Sequence, residues 1–232
     1  MIWVGTSGYQ YPEWKGSFYP ETFSTAKMLP YYAERFRTTE INYSFYRIPS
    51  EKTLTNWATQ TPADFRFGFK APREITHTRK LQDVEPILNR FTAAIELLGT
   101  KLGVVLFQLP PFFKKDLARL RQFLEAMPRD LNCAFEFRHP SWFDEEVFSC
   151  LKAHRAALCL AESEKLSTPI QFTAEFGYFR LRKEDYTTAE LTRWAGLIAE
   201  QRSQLKEVYV YFKHEERGVG PRFARHLLDL LD

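Results

Sequence analysis

Leu102-Gly103-Val104-Val105-Leu106-Phe107-Gln108-Leu109, then a helical stretch over Leu117–Met127, then Asn132-Cys133-Ala134-Phe135-Glu136-Phe137-Arg138: this run decides the fold. The first segment is a short continuous apolar run stopped by Pro110-Pro111, which reads as a strand buried on both faces. The last alternates apolar and polar side chains. Two strands joined by a helix-length crossover lie parallel in one sheet.

The same unit repeats in both directions. Upstream, the spacing predicts a strand at Ile2–Thr6, a Gly- and aromatic-rich loop from Ser7 to Pro20, and a helix over Thr25–Arg37 with Met28, Leu29, Tyr32, Ala33 and Phe36 on one face. A strand at Thr39–Tyr43 follows, then a helix beginning at Glu51 with Ser50 as its cap. Phe65–Phe69 is a strand and Val84–Leu98 a helix. Downstream, Ser141 precedes a helix reaching about His154, and Ala157–Ala161 is a strand. Glu164–Glu175 has no helical period, so the unit after the sixth strand is irregular. Gly177–Arg182 (strand), Thr188–Leu205 (helix), Glu207–Phe212 (strand) and Pro221–Leu231 (helix) complete the series.

Eight strands in 232 residues give about 29 residues per strand, the size of a βα unit. The expected fold is α/β: one compact (β/α)8 TIM-like barrel domain over residues 1–232, irregular after strand six. An open doubly wound sheet is the competitor. Its dinucleotide-binding form carries GxGxxG after the first strand, where this chain reads Gly5-Thr6-Ser7-Gly8.

Composition narrows the function classes. A 44% hydrophobic and 26% charged chain is that of an ordinary soluble globular protein, and a net charge of +3 is too small to argue for nucleic-acid binding without a clustered patch. Three cysteines, none in a CxxC pair, support neither a disulfide framework nor a zinc knuckle, which fits a reducing cytoplasm. Met1-Ile2-Trp3-Val4-Gly5 begins a strand directly, so no signal peptide is expected. No uncharged apolar run approaches a membrane span.

Alternation puts Ile41, Tyr43, Phe67, Phe69, Val105, Phe107, Phe135 and Phe137 toward the helices. Glu40, Asn42, Lys70, Gln108, Glu136, Arg138, Arg180 and Arg182 then point into the barrel near the strand C-termini, joined by Tyr209, Tyr211 and Lys213. Barrel enzymes keep their chemistry at that end. Glu40 and Glu136 stand against Lys70, Arg138, Arg180, Arg182 and Lys213, so the mouth is expected to be electropositive and to favour a carboxylate or phosphate. Burial and neighbouring charges are expected to move the carboxyl and amine pKa values toward neutrality, as general acid–base chemistry requires. A self-satisfied buried ion network is the structural alternative.

His77 and His139 fall on the same side as candidate proton shuttles, or as loop caps. With His214 and the two acids they offer metal ligands, although no HxH, HxxxH or HExxH spacing places two on one element. Ser7 in Gly-Thr-Ser-Gly is a nucleophile or phosphate-cradle candidate without the GxSxG elbow. Tyr9, Tyr11, Trp14, Phe18, Tyr19, Tyr46 and Trp142 form either an aromatic wall for stacking or a lid packed on itself.

Gly5-Thr6-Ser7-Gly8-Tyr9…Tyr11…Trp14…Gly16…Phe18-Tyr19-Pro20 resembles the opening signature of the YecE-like family, domain of unknown function 72. Further matching motifs are Glu40-Ile41-Asn42…Phe45-Tyr46, Phe67…Lys70…Thr76-His77, Gln108-Leu109-Pro110-Pro111 and Glu136-Phe137-Arg138-His139…Ser141-Trp142. A weaker tail matches at Tyr209–Phe212 and Gly220–Ala224. The resemblance implies a TIM-like barrel and no particular reaction. It places Glu40, Asn42, Lys70, His77, Gln108, Glu136, Arg138 and His139 within family motifs. Two stretches depart from the pattern. Tyr178–Lys183 stands where the family has Tyr-x-Arg-x-His-Gly, and Phe212-Lys213-His214-Glu215 stands where Phe is followed by Asn residues. These departures imply a more cationic mouth and an altered substrate or lost activity.

The sequence therefore points to an enzyme using acid–base chemistry on a small anionic compound (carboxylate, phosphate, sugar- or nucleotide-like). Glu40, Glu136, Lys70 and His77 are its candidate catalytic residues. Asn42, Gln108, Arg138, His139, Arg180, Arg182, Tyr9, Trp14 and Trp142 are candidates for binding. No cofactor is implied by a motif, while a divalent metal stays open. The alternatives are a nucleic-acid or other ligand-binding module and a metal-dependent phosphodiesterase or isomerase, the last by fold analogy alone. Glu136→Gln is expected to abolish turnover and leave the fold intact.

Overall fold

The structure is a computed structural model that describes residues 1–163, 166–214 and 217–231. Glu164, at the start of the irregular stretch, and Glu215, in the departure after strand eight, lie outside the described residues.

Among the described residues eight parallel strands close into a barrel in sequence order. They are β1 (Ile2–Ser7), β2 (Thr38–Ile41), β3 (Arg66–Lys70), β4 (Leu102–Gln108), β5 (Cys133–Glu136), β6 (Ala157–Glu162), β7 (Phe176–Leu181) and β8 (Glu207–Phe212). Closure pairs β1 with β8 from Ile2 opposite Val208 to Thr6 opposite Phe212. The helices are α1 (Met28–Ala33), α2 (Glu51–Thr59), α3 (Glu85–Ile95), α4 (Leu117–Glu125), α5 (Glu145–Ala153), α6 (Thr188–Glu200) and α7 (Val219–Leu231).

Local chemistry sets the helix starts. Ser50 Oγ accepts the Thr53 N–H at 3.2 Å, as expected from sequence. Asp116 and Asp144 cap α4 and α5 through their carboxylates, and Thr187 with Glu190 forms a capping box on α6. α1 is shorter than its apolar period suggests, ending at Ala33 before turns lead into β2.

β2 stops at Ile41, two residues short of the predicted end. There the chain turns through a short 3-10 helix, and Ser44 Oγ donates to Ile41 O at 3.0 Å and Lys70 O at 2.6 Å. Tyr43 consequently stands exposed instead of packing under the helices. Between β6 and β7 no α-helix occurs among the described residues. Thr173 Oγ1 accepts the Leu158 N–H at 2.8 Å and donates to Ala156 O at 2.7 Å. Thr168 Oγ1 accepts the Ala161 N–H at 3.2 Å. Threonine hydroxyls thus satisfy the backbone of β6 in a unit that lacks a crossover helix.

Two cores result. The outer one packs Phe67, Phe69, Phe107, Phe135 and Phe137 against the helices, as alternation predicts. The inner one fills the barrel with Trp3, Val104, Leu106, Tyr178, Tyr209 and Tyr211, given room by small neighbours such as Ala134, Ala157 and Cys159. Gly68 belongs to this accommodation: a Cβ there would lie 2.9 Å from the Tyr211 hydroxyl. No helix among the described residues is long and apolar enough to cross a membrane.

Candidate functional site

Above the aromatic filling, the strand C-termini carry a polar layer positioned by the pleat. Ser7 lies opposite Glu40, Gln108 opposite Glu136, and Arg180 opposite Ala161 on one side and Tyr211 on the other. The small Ala161 leaves space for the guanidinium to reach across the barrel. Arg180 NH2 donates to Glu40 Oε1 at 2.9 Å and to Ser7 Oγ at 3.3 Å, and its NH1 donates to Glu136 Oε2. All three charged groups are at most 1% exposed.

Both carboxylates are engaged through both of their oxygens. Glu40 Oε1 also accepts the Ser7 hydroxyl, and Oε2 accepts Tyr178 OH at 2.5 Å. Glu136 Oε2 accepts Gln108 Nε2 at 2.8 Å, while Oε1 accepts Arg182 NH1 at 3.0 Å and Arg138 Nε at 3.2 Å. Asn42 Nδ2 completes the cluster by donating to Ser7 Oγ at 2.9 Å. Ser7 is therefore a buried link in the network.

The electrostatic consequence differs for the acids and the amine. Burial raises the carboxyl pKa values, but Arg180, aided by Ser7 and Tyr178 at Glu40 and by Arg182 and Arg138 at Glu136, outweighs it. Both glutamates are held below the usual carboxylate range. The expected drift toward neutrality fails for them because the opposing charges touch them directly. Lys70 behaves as expected: burial first, then the charge of Arg180, brings its pKa down to about 7. With two carboxylates against the three guanidinium groups of Arg138, Arg180 and Arg182, the cluster is already net positive before Lys70 adds a charge.

Lys70 Nζ lies 4.0 Å from the centroid of the Phe45 ring and makes no ion pair or side-chain hydrogen bond among the described residues. His77 packs edge-on against the same ring at 5.0 Å, with Nδ1 2.9 Å from Thr76 Oγ1. Burial, then the charges of Lys70, Arg138 and Arg73, push the His77 pKa down to about 4, so its ring is neutral at physiological pH. His139 stands apart as a cap: its Nδ1 accepts the Ser141 N–H at 3.2 Å.

Most of the aromatic candidates form packing, whereas Tyr46 stands exposed. Trp14 is fully buried, 4.8 Å from Tyr11 and 5.7 Å from Phe18 between centroids, and the loop folds back on Tyr31 and Tyr32 of α1. Trp142 is fully buried against Phe137 and donates to Phe113 O at 2.7 Å. Neither ring presents a face to a ligand. Tyr9, also buried, borders a separate cleft of about 450 Å³ between the first loop and α2, lined also by Asn42, Asn56, Trp57 and Gln60.

A second cavity, about 340 Å³, opens at the mouth. Glu136, Arg138 and Arg182 line it together with Pro111, Glu162 and Thr168. The cleft beside Tyr9 bears no charged group, whereas the mouth cavity is lined by Glu136, Arg138, Glu162 and Arg182. No three His, Cys, Asp or Glu side chains are gathered as a metal site among the described residues, because the two acids are turned onto arginines. Tyr178 and Phe45 fall in stretches that the motif reading covers, yet neither is among its candidate site residues. Tyr178 shares the inward phase of Arg180, which was the available signal.

A family model for a protein of unknown function, DUF72, matches residues 3–232. The UPF0759 protein YunF of Bacillus subtilis is 28% identical, the alignment covering 100% of this chain and 95% of that protein. The UPF0759 protein YecE of Escherichia coli is 31% identical over 62% of this chain and 50% of its own length. A crystal structure of a DUF72 family protein from Thermotoga maritima matches with a TM-score of 0.89 at 29% identity, covering 100% of this chain and 99% of that one. One from Enterococcus faecalis, at 20% identity and a TM-score of 0.85, covers 100% and 95% and shares the fold.

Proposed function

This chain belongs to the DUF72 family, and from that premise and the geometry of its mouth we propose an enzyme that binds a small anionic compound and acts on it by acid–base chemistry. The observation that carries the reading is the division of labour among the mouth residues. Arg138 and Arg182 are only partly buried, hold Glu136 with one nitrogen each, and face the 340 Å³ cavity with donors to spare. A carboxylate or phosphate there gains charge-assisted hydrogen bonds in a site that is net positive.

The proton-exchanging group in this reading is Lys70. Glu40 and Glu136 keep their charge at every physiological pH and engage both oxygens in the network; their role is to fix Arg180 and orient Arg138 and Arg182. Lys70 is an amine without a counter-ion among the described residues, partly exposed at the end of β3, whose charge changes close to neutrality.

Calorimetric titration with inorganic phosphate and with pyruvate at low ionic strength tests the reading. Binding should weaken about tenfold or more in Arg138→Gln combined with Arg182→Gln, and should weaken with added salt. Absence of binding by both anions, or affinity unaffected by the double variant, overturns it.

A further inference from the structure

We infer that Lys70 is a nucleophile that forms a Schiff base with the carbonyl carbon of an anionic oxo compound, either a 2-oxo acid or a phosphorylated aldehyde or ketone. This rests on the anion-binding reading above and names its substrate class.

The geometry has three parts. The amine sits on the barrel wall at the end of β3, one face against the Phe45 ring and no carboxylate among the described residues holding it. A lysine kept for structure is ordinarily paired, as Lys115 is with Asp144 and Glu146 in this chain. Arg138 and Arg182 supply the anion contacts. Lys70 on β3 and Arg138 after β5 stand two strand spacings apart, about 10 Å along the wall before their side chains reach inward. The amine and the arginines belong to one charge cluster: Lys70 feels Arg180, Glu40 and Glu136, and His77 feels both Lys70 and Arg138, so a compound with a carbonyl for the amine and an anionic group for the arginines matches the two kinds of partner. Third, the near-neutral amine has its lone pair available, which nucleophilic attack requires.

The step balances without a co-reactant. The Lys70 nitrogen lone pair forms the C–N bond, the carbonyl π pair moves to oxygen, and that oxygen takes up the proton that nitrogen releases, giving a carbinolamine. Protonation and departure of the hydroxyl as water leave a C=N bond. In its protonated form this bond is an electron sink, so a proton on the adjacent carbon can leave. The neutral His77 ring, packed against the Phe45 ring that also covers Lys70, is the candidate acceptor in this proposal.

Incubation of the intact protein with pyruvate, dihydroxyacetone phosphate or uncharged acetone, each followed by sodium borohydride, reads the adduct by peptide mass spectrometry. The expected result is reduced alkylation at Lys70 with at least one anionic probe, about tenfold or more faster than with acetone, suppressed by excess inorganic phosphate. Labelling spread over exposed lysines, with none at Lys70, overturns the inference. If either anionic probe binds calorimetrically yet neither is trapped at Lys70, the Schiff base fails and the anion-binding reading stands. If neither probe nor phosphate binds, both fail.

Discussion

Arg180 NH1 donates to Glu136 Oε2 at the centre of the barrel mouth, and both side chains are 1% exposed. Burying such a pair contributes little net stability against a well-packed apolar core, but removing one member leaves a desolvated charge. Arg180→Met should therefore lose about 3–5 kcal/mol, since it strands two carboxylates. Glu136→Gln should lose a similar amount: its amide NH2 would confront guanidinium groups where the carboxylate accepts four hydrogen bonds. The sequence alone led to the expectation that Glu136→Gln leaves the fold intact; the four hydrogen bonds to this carboxylate predict a loss of stability. Urea denaturation measures both, and wild-type midpoints would show that the network does not hold the barrel.

Tyr178→Phe removes the hydroxyl that donates to Glu40 Oε2 at 2.5 Å. A hydrogen bond to a charged group contributes about 1.5–3 kcal/mol, which is the expected loss at neutral pH. The pH dependence follows from the lowered pKa values of Glu40 and Glu136. Their contribution is complete above the unfolded carboxyl pKa and is lost as pH falls through the depressed folded values. Weakening the Glu40 contacts raises its folded pKa. Acid titration followed by circular dichroism should place the Tyr178→Phe transition at higher pH than that of the wild type.

The barrel was legible because each strand is short, apolar on its outward face and, except after the sixth, followed by a helical period. Phe67 and Phe69, or Phe135 and Phe137, can occupy only one face of a parallel strand. The inward phase of Glu40, Glu136 and Arg180 was legible for the same reason. Their pairing was not. Alternation gives the direction of a side chain but not its reach across the barrel, so the engagement of Glu136 by four donors, and with it the depressed pKa, emerges only from closure. The aromatic loop shows a different limit. Trp14 and Trp142 carry strong motifs, yet composition cannot separate a ring that stacks on a ligand from one that packs on Phe137.

Gly68→Ala tests how tightly the inner core is filled. Its Cβ would lie 2.9 Å from the Tyr211 hydroxyl, which shares a 2.7 Å hydrogen bond with Thr38 Oγ1. Displacing that ring inside a closed barrel should cost about 1–3 kcal/mol. Thermal unfolding checks this, and a stability equal to wild type would show that Tyr211 moves freely.

Lys70→Met should stabilise the protein in a pH-dependent way, and the sign follows from linkage. The folded pKa of Lys70 is depressed to about 7 from the ordinary lysine value of 10.5, so between these values the unfolded chain binds more protons than the folded one. Wild-type stability attributable to Lys70 therefore rises across that window as pH increases. Below about pH 7 the folded protein carries a desolvated charge near Arg180 and Lys213, only partly offset by Glu40 and Glu136, and the penalty is at its full value. Methionine has similar length, no charge to desolvate, and retains contact with the Phe45 ring. The difference in unfolding free energy between Lys70→Met and wild type should be largest near pH 6 and should shrink steadily toward pH 10. Below about pH 6.5 His77 adds its own dependence, because the Lys70 charge helps to hold its pKa down to about 4, so the decisive reading is the fall of the difference between pH 7 and pH 10. A difference independent of pH, or one that grows with pH, would mean that the amine is charged in the folded protein and is neither the base nor the nucleophile of this site.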